Sequence, residues 1–321
     1  MQNKNKPLLL RPSGKDYLWG GSRLNDEFEK NIDLTPLAET WECSTHPDGP
    51  SYVVGGTFDG QELAEVLRAH PEYLGERHKG ENTLPILIKF IDAKKDLSVQ
   101  VHPTDAFAQE HENGQLGKTE MWYIMEAEEG ARLVYGLKEG CTVEEFAKAV
   151  HEGRTEEMLN FVPVHKGEVY FIPSGQVHAI GAGILIAEIQ QNSNITYRVY
   201  DYNRKGADGK PRQLHTEKAL DVIKLRTTEE IDKIRFSKPD ENDGGTALAS
   251  CDYFTVKKYS VDGKVVVDAK VDSFLSVLVL DAENCKVGGY DAKRGDSFFI
   301  PAGSGSVEVT GKADVIVSKV N

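Results

Sequence analysis

A mainly β protein in two halves, with short helices set into the first half, is what the 321-residue sequence predicts. Three observations carry that prediction. Apolar and polar residues alternate with a period of two, as where Leu97, Val99 and Val101 interleave with Ser98, Gln100 and His102, and that period belongs to β-strands. The segment Lys166 to Gly175 recurs as Arg294 to Gly303 at an offset of 128 residues, each copy reading as a glycine turn, a short apolar strand, a proline and a second glycine. Helical periodicity is confined to short runs behind capping signals. Both halves therefore look like jelly rolls, joined within the charged segment Thr227 to Gly245, where apolar periodicity fades; the expected division is 1–226 and 227–321.

From Leu8 to Val54, short β-like runs separated by Gly, Pro, Asn and Asp read as outer strands of the first sheet. Asp59-Gly60-Gln61-Glu62 has the capping-box pattern and opens a helix over about 59–69, with Leu63, Val66 and Leu67 on one face. Leu84 to Ile91 is nearly all apolar and leads into the Gln100 strand as a buried hairpin, which Pro103 ends. A helix follows over Thr104–Glu112, with Asn113-Gly114 as its left-handed stop. Tyr123 to Tyr135 reads as a strand pair around Glu128-Glu129-Gly130, and Thr142-Val143-Glu144-Glu145 caps a helical insert over about 142–160. Strands resume at Val162 and run through Ile184–Gln190 and Thr196–Tyr202; His215 to Ile223 is a closing helix after the polar loop Arg204 to Lys210, which reads as a solvated turn or as a lid.

Three of these segments carry chemistry. Ser98, Gln100 and His102 share one strand face, and Lys118, Glu120 and Trp122 share another. His178 follows a Pro-x-Gly turn that pins its backbone. Gln100, His102, Glu120 and His178 together offer two nitrogens and two oxygens with no thiolate, a set that suits Zn²⁺ in an open catalytic site and that Mn²⁺, Fe²⁺ or Co²⁺ would also accept.

With Gln190-Gln191-Asn192-Ser193 and Tyr197-Arg198-Val199-Tyr200-Asp201-Tyr202 added, the chain from Trp19 to about Arg226 resembles the type I mannose-6-phosphate isomerases in their short bacterial form. The resemblance implies a cupin-type jelly roll and one zinc per chain, held by Gln100, His102, Glu120 and His178. It also implies that Arg198 is the active-site arginine, that Glu188 matches a carboxylate proposed to carry the proton, and that Lys118 and Ser98 line the sugar phosphate. The family interconverts mannose 6-phosphate and fructose 6-phosphate. Many relatives have Asp four residues before the arginine; this chain has Asn194, which cannot take up a proton and which, on a continuous strand, would share a face with Arg198. Adding the repeat offset to His178 gives Ser306, and no histidine follows His215, so the second roll lacks this ligand and is expected to cover the first.

The chemistry can be weighed on its own. Moving a carbonyl between adjacent sugar carbons requires removal of an α-proton, an enediolate, and return of the proton to the neighbouring carbon. A zinc with an open position supplies Lewis acidity, Glu188 the proton relay, and Arg198 or Lys118 a cation for phosphate or oxyanion. Other readings of such a site are an iron oxygenase, an isomerase of a different sugar phosphate, and a catalytically dead sugar-phosphate sensor. With 38 basic against 51 acidic residues, net charge −13, the sequence argues against nucleic-acid or membrane partners and demands a local basic pocket for an anionic substrate. Four scattered cysteines and the lack of a signal or long apolar stretch suit a soluble cytoplasmic enzyme, a monomer or weak homo-oligomer, with reduced thiols.

Overall fold

The computed structural model describes residues 6–81, 83–206, 209–239 and 243–321, and within it the strands form three antiparallel sheets. Two belong to the first roll. A six-stranded sheet runs in the order Val169–Ile172, Glu120–Ala127, Ile184–Gln191, Ile86–Ala93, Glu39–Cys43 and Ser13–Lys15; a five-stranded sheet runs Tyr197–Tyr200, Val99–Val101, His178–Ala179, Arg132–Leu137 and Leu159–Pro163. The third sheet has eight strands, in the order Thr246–Ser250, Phe254–Ala269, Gly305–Val320, Leu275–Val287, Ser297–Ile300, Leu8–Arg11 and Tyr52–Val54, with Tyr290–Ala292 on Leu275–Val287.

The apolar residues form layers on this frame. Ile124, Leu133, Ile180 and Ile186 belong to an apolar cluster between the two sheets of the first roll. The other face of the six-stranded sheet, with Phe90, Met121 and Ile189, packs against Phe254, Phe274, Leu278 and Phe299 of the eight-stranded sheet. That sheet curls around a second core containing Val277, Phe298 and Val315. Helices Val143–His151 and Thr216–Val222 cover the outer face of the five-stranded sheet through Phe146, Ala219 and Val222. Truncating a buried aromatic such as Phe299 would cost about 3–5 kcal/mol.

The repeat is real in three dimensions. Gly167 and Gly295 both adopt positive φ, 92° and 89°, and each turns the chain into an equivalent strand, Val169–Ile172 or Ser297–Ile300. At Gly295 a Cβ would lie 2.8 Å from Phe28 of the first roll, so this glycine also permits close packing of the two halves.

Several expectations change. Leu8–Arg11 and Tyr52–Val54 are not outer strands of the first sheet but complete the eight-stranded one, where Leu8, Leu9 and Leu10 pair with Phe299, Phe298 and Ser297. Neither expected hairpin forms. Ile86–Ala93 is buried throughout and already flanked by Glu39–Cys43 and Ile184–Gln191, so the Gln100 strand has no edge to join and crosses to the opposite sheet. Glu120–Ala127 is flanked in the same way, and Arg132–Leu137 crosses too. The helix expected over 59–69 is Leu63–Ala69, because Asp59 accepts from Gly55 N at 2.6 Å within the preceding turn rather than capping a helix. The Thr227–Gly245 segment contains a helix, Thr228–Arg235, with a capping box from Thr227 and Glu230; only Ile231 is buried, which is why its apolar stripe is faint in sequence. The helix at Asp105–His111 forms as expected, capped by Thr104; the insert expected over about 142–160 is the helix Val143–His151, capped by Thr142, followed by a short turn at Thr155–Met158, and the next strand already begins at Leu159. All four cysteines are free, and no helix among the described residues is long and apolar enough to cross a membrane.

Candidate active site

Two rows of side chains face each other inside the first roll. In the five-stranded sheet, His178 is the register partner of Gln100, and Gln100 of Arg198, so one row crosses three adjacent strands. In the six-stranded sheet, Tyr170, Trp122, Glu188, Lys89 and Trp41 are successive register partners, with Glu120 two residues before Trp122. Side chains at one register level point to the same face, so sheet geometry alone brings these groups together.

At the bottom of the rows, His102, Glu120 and His178 are completely buried, and one donor atom from each lies within 4.8 Å of the others. The carboxylate of Glu120 is 3.3 Å from His178 Nε2 and 3.6 Å from His102 Nε2. Each imidazole is oriented by the main chain: His102 Nδ1 donates to the Ile195 carbonyl and His178 Nδ1 to that of Gln176, both at 2.8 Å. Because a carbonyl only accepts, Nδ1 carries the proton in both rings and each Nε2 presents a lone pair to the centre. Gln100 completes the group, its terminal amide 3.4 Å from His178 Nε2; a half-turn of the amide puts its oxygen in that place.

These residues fit a divalent cation. His102 Nε2 and Glu120 Oε1 are buried without a hydrogen-bond partner, an expensive arrangement for an empty core and the normal one for metal donors. Burial, then Lys118 and His178, keeps the His102 imidazole well below its usual range, and burial with Lys118 brings His178 down to about 4. Both stay neutral, as ligands must. Burial and the Glu188 charge push the Glu120 carboxyl up to about 7, a strain that a cation would relieve.

Above the cluster runs a buried ion network. Lys118 Nζ is 2.7 Å from Glu120 and 3.9 Å from Glu188; Lys89 Nζ is 3.3 Å from Glu188 and 3.6 Å from Glu39. Trp122 Nε1 donates to Glu188 Oε2 at 2.8 Å, and Trp41 Nε1 to Glu39 at 2.8 Å. Burial works against ionisation of Glu188, but Lys118, Lys89 and the indole outweigh it and hold its carboxyl below the usual range. Its Oε1 is the oxygen that faces both lysines, and the residue borders a cavity of about 280 Å³ that also reaches Gln100, Lys118, Asn194 and Arg198. A larger cleft, about 620 Å³, lies outside the roll between Gly136–Cys141 and Lys224–Ile231 and touches none of the cluster residues.

The structure brings Ser98, Gln100, His102, Lys118, Glu120, His178, Glu188 and Arg198 together as the sequence suggested. Ser98 Oγ accepts from Arg198 Nε at 3.2 Å. Asn194 differs. It precedes the strand Tyr197–Tyr200, in a loop pinned by Gln190 Nε2 donating to Gln191 and Ser193 carbonyls, so it does not share a strand face with Arg198. Its amide donates to Asp48 Oδ2 at 2.9 Å while the residue borders the cavity. Sequence reasoning missed Lys89, Glu39 and Trp41. Lys89 did leave a trace, a lone cation in the otherwise apolar run Leu84–Ile91. Glu39 left none, since its role depends on which strand lies beside it.

Comparison with known proteins agrees with this geometry. The family description "Phosphomannose isomerase type I, catalytic domain" matches residues 8–131, and "Mannose-6-phosphate isomerase, cupin domain" matches 245–320. The chain is 39% identical to mannose-6-phosphate isomerase ManA of Bacillus subtilis, over 98% of both chains, and 36% identical to the mannose-6-phosphate isomerase of Streptococcus mutans, over 98% of this chain and 99% of that one. The crystal structure of a mannose 6-phosphate isomerase from Bacillus subtilis superposes with a TM-score of 0.87 at 35% identity, covering 98% of this chain and 99% of that chain. On this sequence, this fold and these two facing rows, the chain belongs to the type I mannose-6-phosphate isomerase family.

Proposed function

We propose that this enzyme interconverts mannose 6-phosphate and fructose 6-phosphate with one zinc ion held by Gln100, His102, Glu120 and His178. The observation that carries the reading is the cluster of buried, hydrogen-bond-orphaned Nε2 and carboxylate donors beside Gln100 and Lys118, which line a cavity together with Glu188 and Arg198. A cation bound there supplies Lewis acidity, worth several kcal/mol at a carbonyl that gains negative charge. The remaining work falls to the chain. Glu188, ionised and lining the cavity, takes the proton from C2 of the aldose and returns it to C1 of the enediolate while the hydroxyl proton of O2 passes to O1; Lys118 and Lys89, both near its Oε1, keep it charged between steps. Arg198 holds an oxygen of the substrate through the guanidinium face that Ser98 leaves open, and Lys118 sits at the reacting end beside Glu120. Asn194 stands at the cavity wall as a substrate contact and not as a proton carrier. Trp122 and Trp41 exclude water from the floor. The substrate and the fold fit a cytoplasmic metabolic enzyme that works as a monomer or weak homo-oligomer. A coupled assay of mannose 6-phosphate turnover, with and without a chelator, tests the reading: turnover abolished by chelator and restored by Zn²⁺ is expected, and chelator-resistant turnover contradicts the metal assignment.

A further inference from the structure

Which cation grips the phosphate is left open by the row of ligands, and the cavity wall answers it. Lys118 is committed elsewhere, 2.7 Å from Glu120 and buried at the reacting end. The row His178, Gln100, Arg198 does not stop at the last strand. The segment that carries Gln213 and His215 runs beside Arg198, which donates from Nη1 to the Gln213 carbonyl at 2.9 Å and whose own carbonyl accepts from His215 N at 2.7 Å. Arg212, the residue before Gln213, thus lies on the segment beside the edge strand that carries Arg198, and it borders the same cavity.

Arg212 is aimed. Its Nε and Nη2 donate to the two oxygens of Asp201, at 2.7 and 2.6 Å, a fork-to-fork pair with a carboxylate that is only 5% exposed. These contacts leave Nη1 over. Arg198, with Nε on Ser98 and Nη1 on Gln213, has Nη2 over. Burial first and Arg212 second depress the Arg198 guanidinium, the mark of two like charges held close together. Arg204 shares Asp201, but its three nitrogens are taken up by the Asp201 carboxylate and carbonyl and by the Asp96 carbonyl, and it does not border the cavity. Its part is to hold Asp201.

We propose that Arg212, positioned by Asp201 and paired with Arg198, binds the phosphate of the substrate at the end of the cavity away from the metal. A phosphate monoester is a dianion that accepts from several donors at once, and it removes the repulsion between the two guanidinium groups. The assignment rests on the sugar-phosphate reading above and goes beyond it in naming the anchor.

The test uses the full chain and three variants, Arg212→Met, Arg212→Lys and Asp201→Asn. The preference for mannose 6-phosphate over mannose, as a ratio of kcat/KM values, falls on the order of 10²-fold in Arg212→Met, as expected for loss of a hydrogen bond between charged groups. It falls less in Arg212→Lys, which keeps the charge, and less in Asp201→Asn, which loosens the fork. The loss should appear in KM more than in kcat. A preference ratio unchanged in Arg212→Met, or Arg212→Lys no better than Arg212→Met, would overturn the assignment. A second readout separates this from failure of the isomerase reading: calorimetric titration with mannose 6-phosphate and with inorganic phosphate needs no turnover. Weaker binding of both in Arg212→Met supports the anchor even if the reaction is a different one; equal binding in wild type and variant, or no binding to wild type, overturns it.

Discussion

The two rolls repeat one architecture and fill it with opposite chemistry. In the first, the row across the central strands reads Tyr170, Trp122, Glu188, Lys89, Trp41; in the second, the register partners at the same level read Phe298, Val277, Val317, Lys257, Ala247. Tyr170 and Phe298 are related by the repeat, which aligns the rows position for position. Glu188 is thus replaced by Val317. Ile172 pairs with Glu120, and its repeat counterpart Ile300 pairs with Leu275, so the ligand carboxylate has become hydrocarbon. The sequence offset matches His178 to Ser306, which is exposed, and the buried neighbour that faces the second core is Val307. The second interior is accordingly mostly apolar, with Val277, Phe298 and Val315 fully buried, although a cavity of about 240 Å³ beside Val317 and Leu275 reaches Lys257, whereas the first holds buried donors without hydrogen-bond partners. A jelly roll is stable with either filling. The polar filling, which costs desolvation and leaves donors unsatisfied, is kept only where something binds.

Exchanging residues between the rolls sharpens this contrast. The largest effect is expected from His178→Ser, which removes an imidazole donor as the second roll has done: kcat/KM should drop on the order of 10³-fold or more, with near-native circular dichroism, since several kcal/mol of Lewis-acid stabilisation go with the metal. Activity within tenfold of wild type would break the comparison. Next comes Glu188→Gln, with metal retained, substrate affinity similar and kcat reduced on the order of 10²–10⁴-fold, the usual cost of an acid–base group. An unchanged kcat would remove Glu188 from the proton path.

A smaller effect concerns pH. Without metal the Glu120 carboxyl lies at about 7, raised by burial and then Glu188. Since its folded value is above the unfolded one, the apo protein holds a proton there below pH 7 that the cation must displace. Affinity for Zn²⁺, measured by competition with a chelator, should therefore fall about tenfold per pH unit below 7 and level off above it. The two histidines, already neutral there, add nothing in that window. A flat profile from pH 5.5 to 7 would show that Glu120 is ionised in the apo protein. The smallest effect is expected for Asn194→Asp. This side chain donates to Asp48, so an Asp there meets a carboxylate instead of orienting Arg198; KM should rise by about threefold and kcat stay the same, with like-charge repulsion near the cavity wall as the cause. A raised kcat would restore the idea that this position steers the arginine.

The clustering of the proposed ligands was legible in the sequence because the strand period puts Gln100 with His102, and Lys118 with Glu120, on one face, and because a Pro-x-Gly turn aims His178. Arg198 and Glu188 were singled out through the family resemblance. Register was not legible. The Lys89–Glu188–Glu39 network and the pairing of Leu8–Arg11 with Ser297–Ile300 depend on which strands become neighbours, and alternation of residues within a strand carries no record of its partner. The same limit produced the two expected hairpins: a buried apolar strand followed by a turn reads alike whether the chain returns to the same sheet or crosses to the facing one. Asn194 shares no face with Arg198 because no strand continues back to it: the strand begins at Tyr197, and the side chain of Gln190 ties Gln191 and Ser193 into a loop.

The central claim is that one roll holds a metal and the other does not. Elemental analysis of the full-length protein, purified without chelator, measures it most directly. Wild type should carry about one zinc per chain, Gln100→Ala a reduced amount because an amide oxygen is the weaker donor, and His178→Ser close to none. Two metals per chain, or a full complement retained in His178→Ser, would contradict the account.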